Sequence, residues 1–136
     1  MSSVGDFRRS LMASLAAALE VEFVAGPVEQ AQGNRELGCV WLEGKRPLAG
    51  DGNMEEVVYG VRLFRAWQQG QGATASGRNV ALLEDDVELL QAALADVLTT
   101  AGHDFFQVAA ITPNYELQYV EAALTAFQRN LGAKGG

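Results

Sequence analysis

The chain has 136 residues, which suits a single domain whose core needs neither a disulfide nor a metal ion for stability. It carries 17 acidic and 10 basic residues, and the formal net charge of −7 repels phosphate backbones and anionic lipid headgroups. These numbers argue against nucleic acid and membranes as primary ligands. We expect residues 1–131 to form one domain and residues 132–136, which are small and polar, to be a disordered tail.

The first part of the chain shows the pattern of a helix followed by a short strand. Apolar residues at every fourth position predict an amphipathic helix over residues 4–19. These residues are Phe7, Leu11, Leu15 and Leu19. Ser3 and Asp6 resemble an N-terminal capping pair. β-Branched and aromatic residues at 21–24 predict a strand that ends at Gly26-Pro27.

Two further strands are predicted to form a hairpin. Residues 37–42 are strand-like, and a polar, glycine-containing loop separates them from a second run over residues 55–67. In that run Val57 and Tyr59 alternate with Val58 and Gly60, as in a strand with two different faces. The hairpin is therefore expected to have a long loop.

The segment 68–79 contains only small and polar residues and is predicted to be a mobile loop. A second helix is predicted after it, with acidic residues 84–86 in its first turn and Gly102 as its stop. Its apolar stripe is Leu83, Val87, Leu90, Leu94, Val97 and Ala101.

The C-terminal region is predicted to add two strands. Residues 105–111 form the first, the Thr112-Pro113-Asn114 tripeptide makes a tight connection, and residues 115–128 form the second. The resulting order is α-β-β-β-α-β-β. It indicates an α+β fold in which about five mostly antiparallel strands form one sheet, with two helices packed on one face.

The second face of such a sheet has no helix to cover it. Both alternating sets of residues in the two longest strands are substantially apolar, whereas a solvated face is normally polar. A neighbouring subunit is the simplest cover, and loops of the same chain, in a monomer, are the alternative.

The sequence contains no recognisable catalytic, cofactor or metal site. The only cysteine, Cys39, lies among apolar neighbours and is expected to be a small buried hydrophobe, in keeping with a reducing cytoplasm. The only histidine, His103, is expected at a helix end, and one cysteine with one histidine cannot form a structural zinc site. No secretory signal or membrane-spanning segment is expected. We therefore predict a protein that is not an enzyme.

The last third of the chain resembles the tail-terminator proteins of long-tailed bacteriophages. The resemblance lies in FFQV at 105–108, ITPNYE at 111–116, YVEAAL at 119–124 and RN at 129–130. The opening helix and the strand before the polar loop are similar to that family as well. The family motifs include no catalytic residue.

The resemblance implies a structural virion protein. Such a protein forms a hexameric ring on the end of the tail tube, stops tube polymerisation and presents a surface to the head-completion or neck proteins. DNA passes through the lumen without specific binding. The protein would be assembled in the host cytoplasm and reside in the virion tail, and it needs no cofactor.

Contacts between proteins are expected around the predicted loop and the last strand. The candidate residues, chosen by position and chemistry, are Arg62, Arg65, Trp67, Gly70, Arg78, Asn79, Tyr115 and Tyr119. Arg62 and Arg65 are expected to point to opposite faces of the sheet. Two alternatives remain open, namely a related neck or tail-completion protein and a small ligand-binding or enzymatic α/β domain.

Overall fold

The structure, a computed structural model, describes residues 4–29, 35–48, 51–66, 73–100 and 105–129. Two helices and five strands follow one another in the predicted order. They are α1 (Val4–Leu19), β1 (Phe23–Ala25), β2 (Leu37–Leu48), β3 (Asp51–Phe64), α2 (Ala73–Thr100), β4 (Phe105–Asn114) and β5 (Tyr119–Arg129). Ser3, Trp67, Gly70, His103 and the predicted tail at 132–136 lie outside the described residues.

The strands form one sheet in the order β1-β2-β3-β5-β4. β1 is parallel to β2, and the other neighbours are antiparallel. α1 contacts β1 and β2, whereas α2 contacts β4 and β5. The predicted α+β fold is thus confirmed, and the face that carries the helices is called the first face below.

The main core lies between the helices and the first face. Its strand residues follow the predicted alternation, because every second side chain of a strand points to the same side. The aromatic rings of Phe7 in α1 and Tyr59 in the central strand β3 pack together, with their centroids 4.9 Å apart. The fully buried residues of this core include Leu11, Leu15, Val40, Val57, Tyr59, Val61, Leu83, Leu90, Leu94, Val120 and Leu124.

The hairpin differs from the prediction of a long loop. β2 continues to Leu48 and β3 begins at Asp51, so that the polar segment is mostly strand. Lys45 Nζ lies 3.4 Å from a Glu55 carboxylate oxygen, and Arg46 Nε lies 3.1 Å from one of Glu56. These cross-strand pairs explain why a segment without an apolar face forms strands. The ladder is irregular between Leu42 and Gly44, where a β-bulge bends β2.

The second helix begins earlier than predicted. Residues 73–79 of the predicted mobile loop belong to α2, and residues 68–72 lie outside the described part of the chain. Alanine is the strongest helix former, and serine and threonine are tolerated, so the absence of large apolar residues did not indicate a loop. Residues 84–86 therefore lie well inside the helix, and the prediction that they form its first turn is wrong.

The connection between β4 and β5 also lies later than predicted. β4 continues to Asn114, and the turn consists of residues 115–118. Asn114 Oδ1 accepts hydrogen bonds from the backbone N–H groups of Glu116 at 3.1 Å and Leu117 at 2.9 Å. Gln118 closes the turn with a φ of 60°. Pro113 fits in β4 because an edge strand does not need every backbone N–H for pairing.

The second face is covered in part by the chain itself. A second cluster of buried residues lies there, and Val24, Val28 and Leu117 pack against it. This second-face cluster consists of Leu37, Cys39, Trp41, Phe64 and Tyr119. The expectation that a neighbouring subunit must cover these side chains is therefore wrong, since the segment after β1 and the β4–β5 turn already shield them.

Candidate assembly surfaces

Arg62 is held at the centre of the second face by its own chain. Its guanidinium carbon lies 5.0 Å from the ring centroid of Trp41 and 4.7 Å from that of Tyr119. Nε donates to a Glu121 carboxylate oxygen at 2.5 Å, and Nη1 donates to the carbonyl of Val28 at 2.8 Å. Burial disfavours the charge of Arg62, but the carboxylate of Glu121 outweighs this effect and raises the pKa of the guanidinium. The predicted contact residues Arg62 and Tyr119 thus meet, but in an internal stack.

Trp41 lies flat on the sheet because residue 60 is a glycine. A Cβ atom at position 60 would overlap the indole ring, and a Cβ at Gly26 would touch its edge. The indole Nε1 donates to a Glu43 carboxylate oxygen at 2.7 Å. The ring is 7% exposed and forms one wall of the groove that follows.

A groove of about 530 Å³ lies beside Trp41 on the second face. Its floor includes Val58, Gly60 and Ala123, and charged residues of β2, β3 and β5 line its rim. These rim charges have partners within the chain, because Arg46 pairs with Glu56 and Glu121 pairs with Arg62. Such a groove offers a small apolar floor without a set of free polar groups aimed at one point.

Cys39 behaves as the sequence indicates. It is completely buried beneath the second face, and its thiol is free. Burial raises the pKa of this thiol. A buried thiol with a raised pKa is a poor nucleophile, which leaves Cys39 a packing role.

Arg65 lies on the other side of the sheet and contacts two carboxylates. Nη1 donates to a Glu36 oxygen at 2.6 Å, and Nε forms an ion pair with Oδ2 of Asp86 at 2.8 Å. The Asp86 side chain is 1% exposed. Burial outweighs the attraction of Arg65 and raises the pKa of Asp86 to about 6. As predicted, Arg62 and Arg65 point to opposite faces.

Three predicted contact residues come together at one end of the sheet, which we call the turn end. The backbone N–H of Arg65 donates to the carbonyl of Gln118 at 3.0 Å, and Gln118 Nε2 donates to the carbonyl of Asn79 at 3.1 Å. Tyr115 projects from the same turn and is 51% exposed. Arg78 lies in α2, but its side chain is not among those described. Tyr115 is thus the most accessible of the predicted residues whose side chains are described.

Sequence reasoning missed two features at the outer edges of the sheet. Leu42 of β2 is 42% exposed, although it is a large apolar residue. At the opposite edge, an open groove of about 260 Å³ lies between α2 and β4. This edge groove is lined by Val87, Gln91, Val108, Ala110 and Ile111. Both features depend on the strand order, which no local pattern shows.

Within the described ranges, no group of three histidine, cysteine, aspartate or glutamate side chains is arranged to hold a metal ion. None of the helices described is long and apolar enough to cross a membrane. No protein-family model matches the chain, and no curated protein matches it either.

Proposed function

We propose that the protein is a structural virion protein that forms a ring on the end of a phage tail tube. The ring ends tube polymerisation and provides the surface to which the head-completion or neck protein binds. The resemblance of residues 105–130 to tail terminators supports this proposal. The structural observation that carries it is the pair of open sheet edges, because a subunit with two different open edges is suited to head-to-tail contacts.

The two ends of the sheet offer separate surfaces for two further partners. The β2–β3 hairpin, whose β2 strand carries Lys45 and Arg46, lies at one end of the sheet. The turn end lies at the other. The turn end offers apolar surface, with Tyr115 51% and Val80 37% exposed. If the strands run roughly along the ring axis, one end faces the tail-tube protein and the other faces the neck. The structure of the subunit thus supports a role between two different assemblies.

The net charge agrees with a conduit for DNA. At −7 the chain repels a phosphate backbone, so that DNA passes through the lumen without specific binding. The proposed location is the virion tail, after assembly in the host cytoplasm.

A small ligand-binding or enzymatic domain is the second candidate. The observation in its favour is the 530 Å³ groove beside Trp41, whose volume falls in the range of ligand pockets. Against it, the rim charges Lys45, Arg46, Glu56 and Glu121 already have ion-pair partners within the chain. A related neck or tail-completion protein would use the same ring and differ only in its axial partners.

The test combines the mass of the assembly with binding to tail tubes. Light scattering over a range of concentrations, with and without tubes polymerised from the tail-tube protein of the same phage, should give an assembly of six 14.5 kDa chains, bound at tube ends in electron micrographs. A monomer that ignores the tubes contradicts the proposal. Binding or turnover of a small molecule in the Trp41 groove, with no ring, supports the second candidate.

A further inference from the structure

We propose that neighbouring copies join by continuing the sheet, with the outer edge of β2 paired to the outer edge of β4 in the next copy. In this junction Leu42 of one copy enters the edge groove of the other. The inference rests on the proposed ring and adds the surface through which its subunits meet.

Both strands have an edge that no other described strand occupies. β1 has three residues and pairs only with Gly38, Cys39 and Val40, so beyond Trp41 the one described strand that pairs with β2 is β3. β4 pairs with β5 and with no other described strand. Unpaired backbone N–H and C=O groups along such edges are a template for another strand.

The chain directions favour the junction. β2 is antiparallel to β3, β3 to β5, and β5 to β4, so that β4 runs opposite to β2. Rotation about a ring axis that lies roughly along the strands preserves strand direction. The edges of adjacent copies therefore meet antiparallel, with their helices on the same side, and this is the more stable form of pairing.

The positions along the strands match as well. Leu42 pairs with Tyr59, Tyr59 with Leu124, and Leu124 with Val108, so these residues form one row across the sheet. When the strands run along the ring axis, closure without a net rise keeps this row level and places Leu42 opposite Val108 of the neighbour. The short β1 lies in rows nearer the turn end and leaves this part of β2 open.

The side chains at the junction complement each other. Leu42 precedes the bulge and lies in the row of Tyr59, on the first face, where it is 42% exposed. The edge groove opens beside β4 on the same face, and its apolar lining includes Val87 and Ile111. Continuing the sheet keeps both on one side, so the exposed leucine meets an apolar groove instead of water.

The same edge of β2 carries features that limit indiscriminate pairing. The bulge at Leu42/Gly44 interrupts a flat ladder, and the charged residues Lys45 and Arg46 are followed by Pro47. Such features discourage aggregation through edge strands. A specific neighbour with a groove for Leu42 is therefore required.

Disulfide trapping between different single-cysteine variants tests the junction. Leu42→Cys and Val108→Cys, which the junction places opposite each other on the first face, are made separately in a Cys39→Ala background, mixed and oxidised. The head-to-tail junction predicts a cross-linked dimer in the mixture and none with either variant alone. Ala17→Cys, on the exposed side of α1, replaces Leu42→Cys in the control and should give no cross-link with Val108→Cys. Absence of the mixed dimer at every concentration, or cross-linking of Leu42→Cys with itself, overturns the proposal.

Light scattering separates failure of the junction from failure of the ring. Leu42→Asp should reduce the hexamer fraction at least tenfold, whereas Leu89→Asp, at a leucine on α2 that is 45% exposed, should leave it unchanged. If Leu42→Asp remains a hexamer and the mixed cysteine variants give no cross-link, the proposed junction is wrong but the ring is not. A wild-type monomer that neither cross-links nor binds tubes overturns both proposals.

Discussion

The two arginines near the end of β3 have opposite roles in the fold, which residue type alone did not show. Arg62 joins the second-face cluster to the segment after β1, because it contacts two aromatic rings and the carbonyl of Val28. Arg65 joins α2 to the residues before β2 through Asp86 and Glu36. Both are predicted to contact partner proteins, and in the subunit each also makes several contacts within the chain.

Arg62→Ala is expected to lower the free energy of unfolding by about 2 kcal/mol. The change removes two cation–π contacts and a charge-assisted hydrogen bond, and it leaves the Val28 carbonyl without this donor. Arg46→Ala is the control, since the Arg46–Glu56 pair is exposed on one side and should contribute less than about 1 kcal/mol. Urea unfolding of both variants measures the difference. If both substitutions lowered the free energy of unfolding equally, the contacts of Arg62 would stabilise the fold no more than an exposed ion pair does.

Asp86 should give the protein a pH dependence of known sign. Its pKa of about 6 lies above the ordinary 3.8, so the folded state binds a proton that the unfolded state releases between these values. The stabilising contribution of this proton is fully present below the unfolded pKa and is lost as the pH rises through the folded pKa. When the pH is lowered from 7 to 5, the free energy of unfolding of wild type should therefore rise by about 1 kcal/mol relative to that of Asp86→Asn.

Urea unfolding of wild type and Asp86→Asn at several pH values checks this prediction. Glu88→Gln, which changes an exposed carboxylate on the same helix, is the control and should run parallel to wild type. A difference between wild type and Asp86→Asn that does not change with pH would contradict a raised pKa at this site.

Among the elements, the central strand β3 depends most strongly on one small residue. Gly60→Ala is expected to lower the free energy of unfolding by about 1–3 kcal/mol, because the new methyl group occupies the space of the Trp41 ring. Gly44→Ala is a matched control, since a Cβ there meets no atom within 4 Å. Thermal unfolding and tryptophan fluorescence of the two variants provide the measurement. An unchanged tryptophan spectrum in Gly60→Ala would contradict the stacked position of Trp41.

Element order could be read from the sequence because each strand and helix has a clear apolar period. The alternation in β3 and β5 and the stripe of α1 reappear in the main core. The predicted bounds of the elements are wrong where a segment is stabilised by something other than an apolar face. The hairpin arm is held by ion pairs across the strands, and the first turns of α2 consist of small residues, so neither has an apolar period.

The candidate contact residues stay predictions, and the structure shows only where they lie. Arg65, Asn79 and Tyr115 do gather at the turn end, because the ends of β3 and β4 meet α2 there. The internal stack of Tyr119 and Arg62 was not predicted, since a strand pattern shows which face a residue occupies but not what covers that face. Leu42 and the edge groove become visible only when the strand order is known, because β1 pairs with just three residues of β2 and β4 is the outermost strand on the other side.

For the whole molecule, the two clusters are expected to unfold together. They lie on opposite faces, but β2, β3 and β5 supply residues to both, so neither can open while the sheet stays intact. In a Trp67→Phe variant, Trp41 fluorescence reports the second face and far-ultraviolet circular dichroism reports the helices. The two urea midpoints should coincide. A fluorescence change at lower urea would show that the second face opens independently.

The double-sided burial of β3 also restricts how the chain can change length. One inserted residue within β3 would exchange its two faces, so that Arg62 would point into the main core and Val61 away from it. Additions at the hairpin tip, one residue on each arm, extend both strands and leave the rest of the register unchanged. The reach of the arm can thus diverge between related proteins without disturbing the body of the fold.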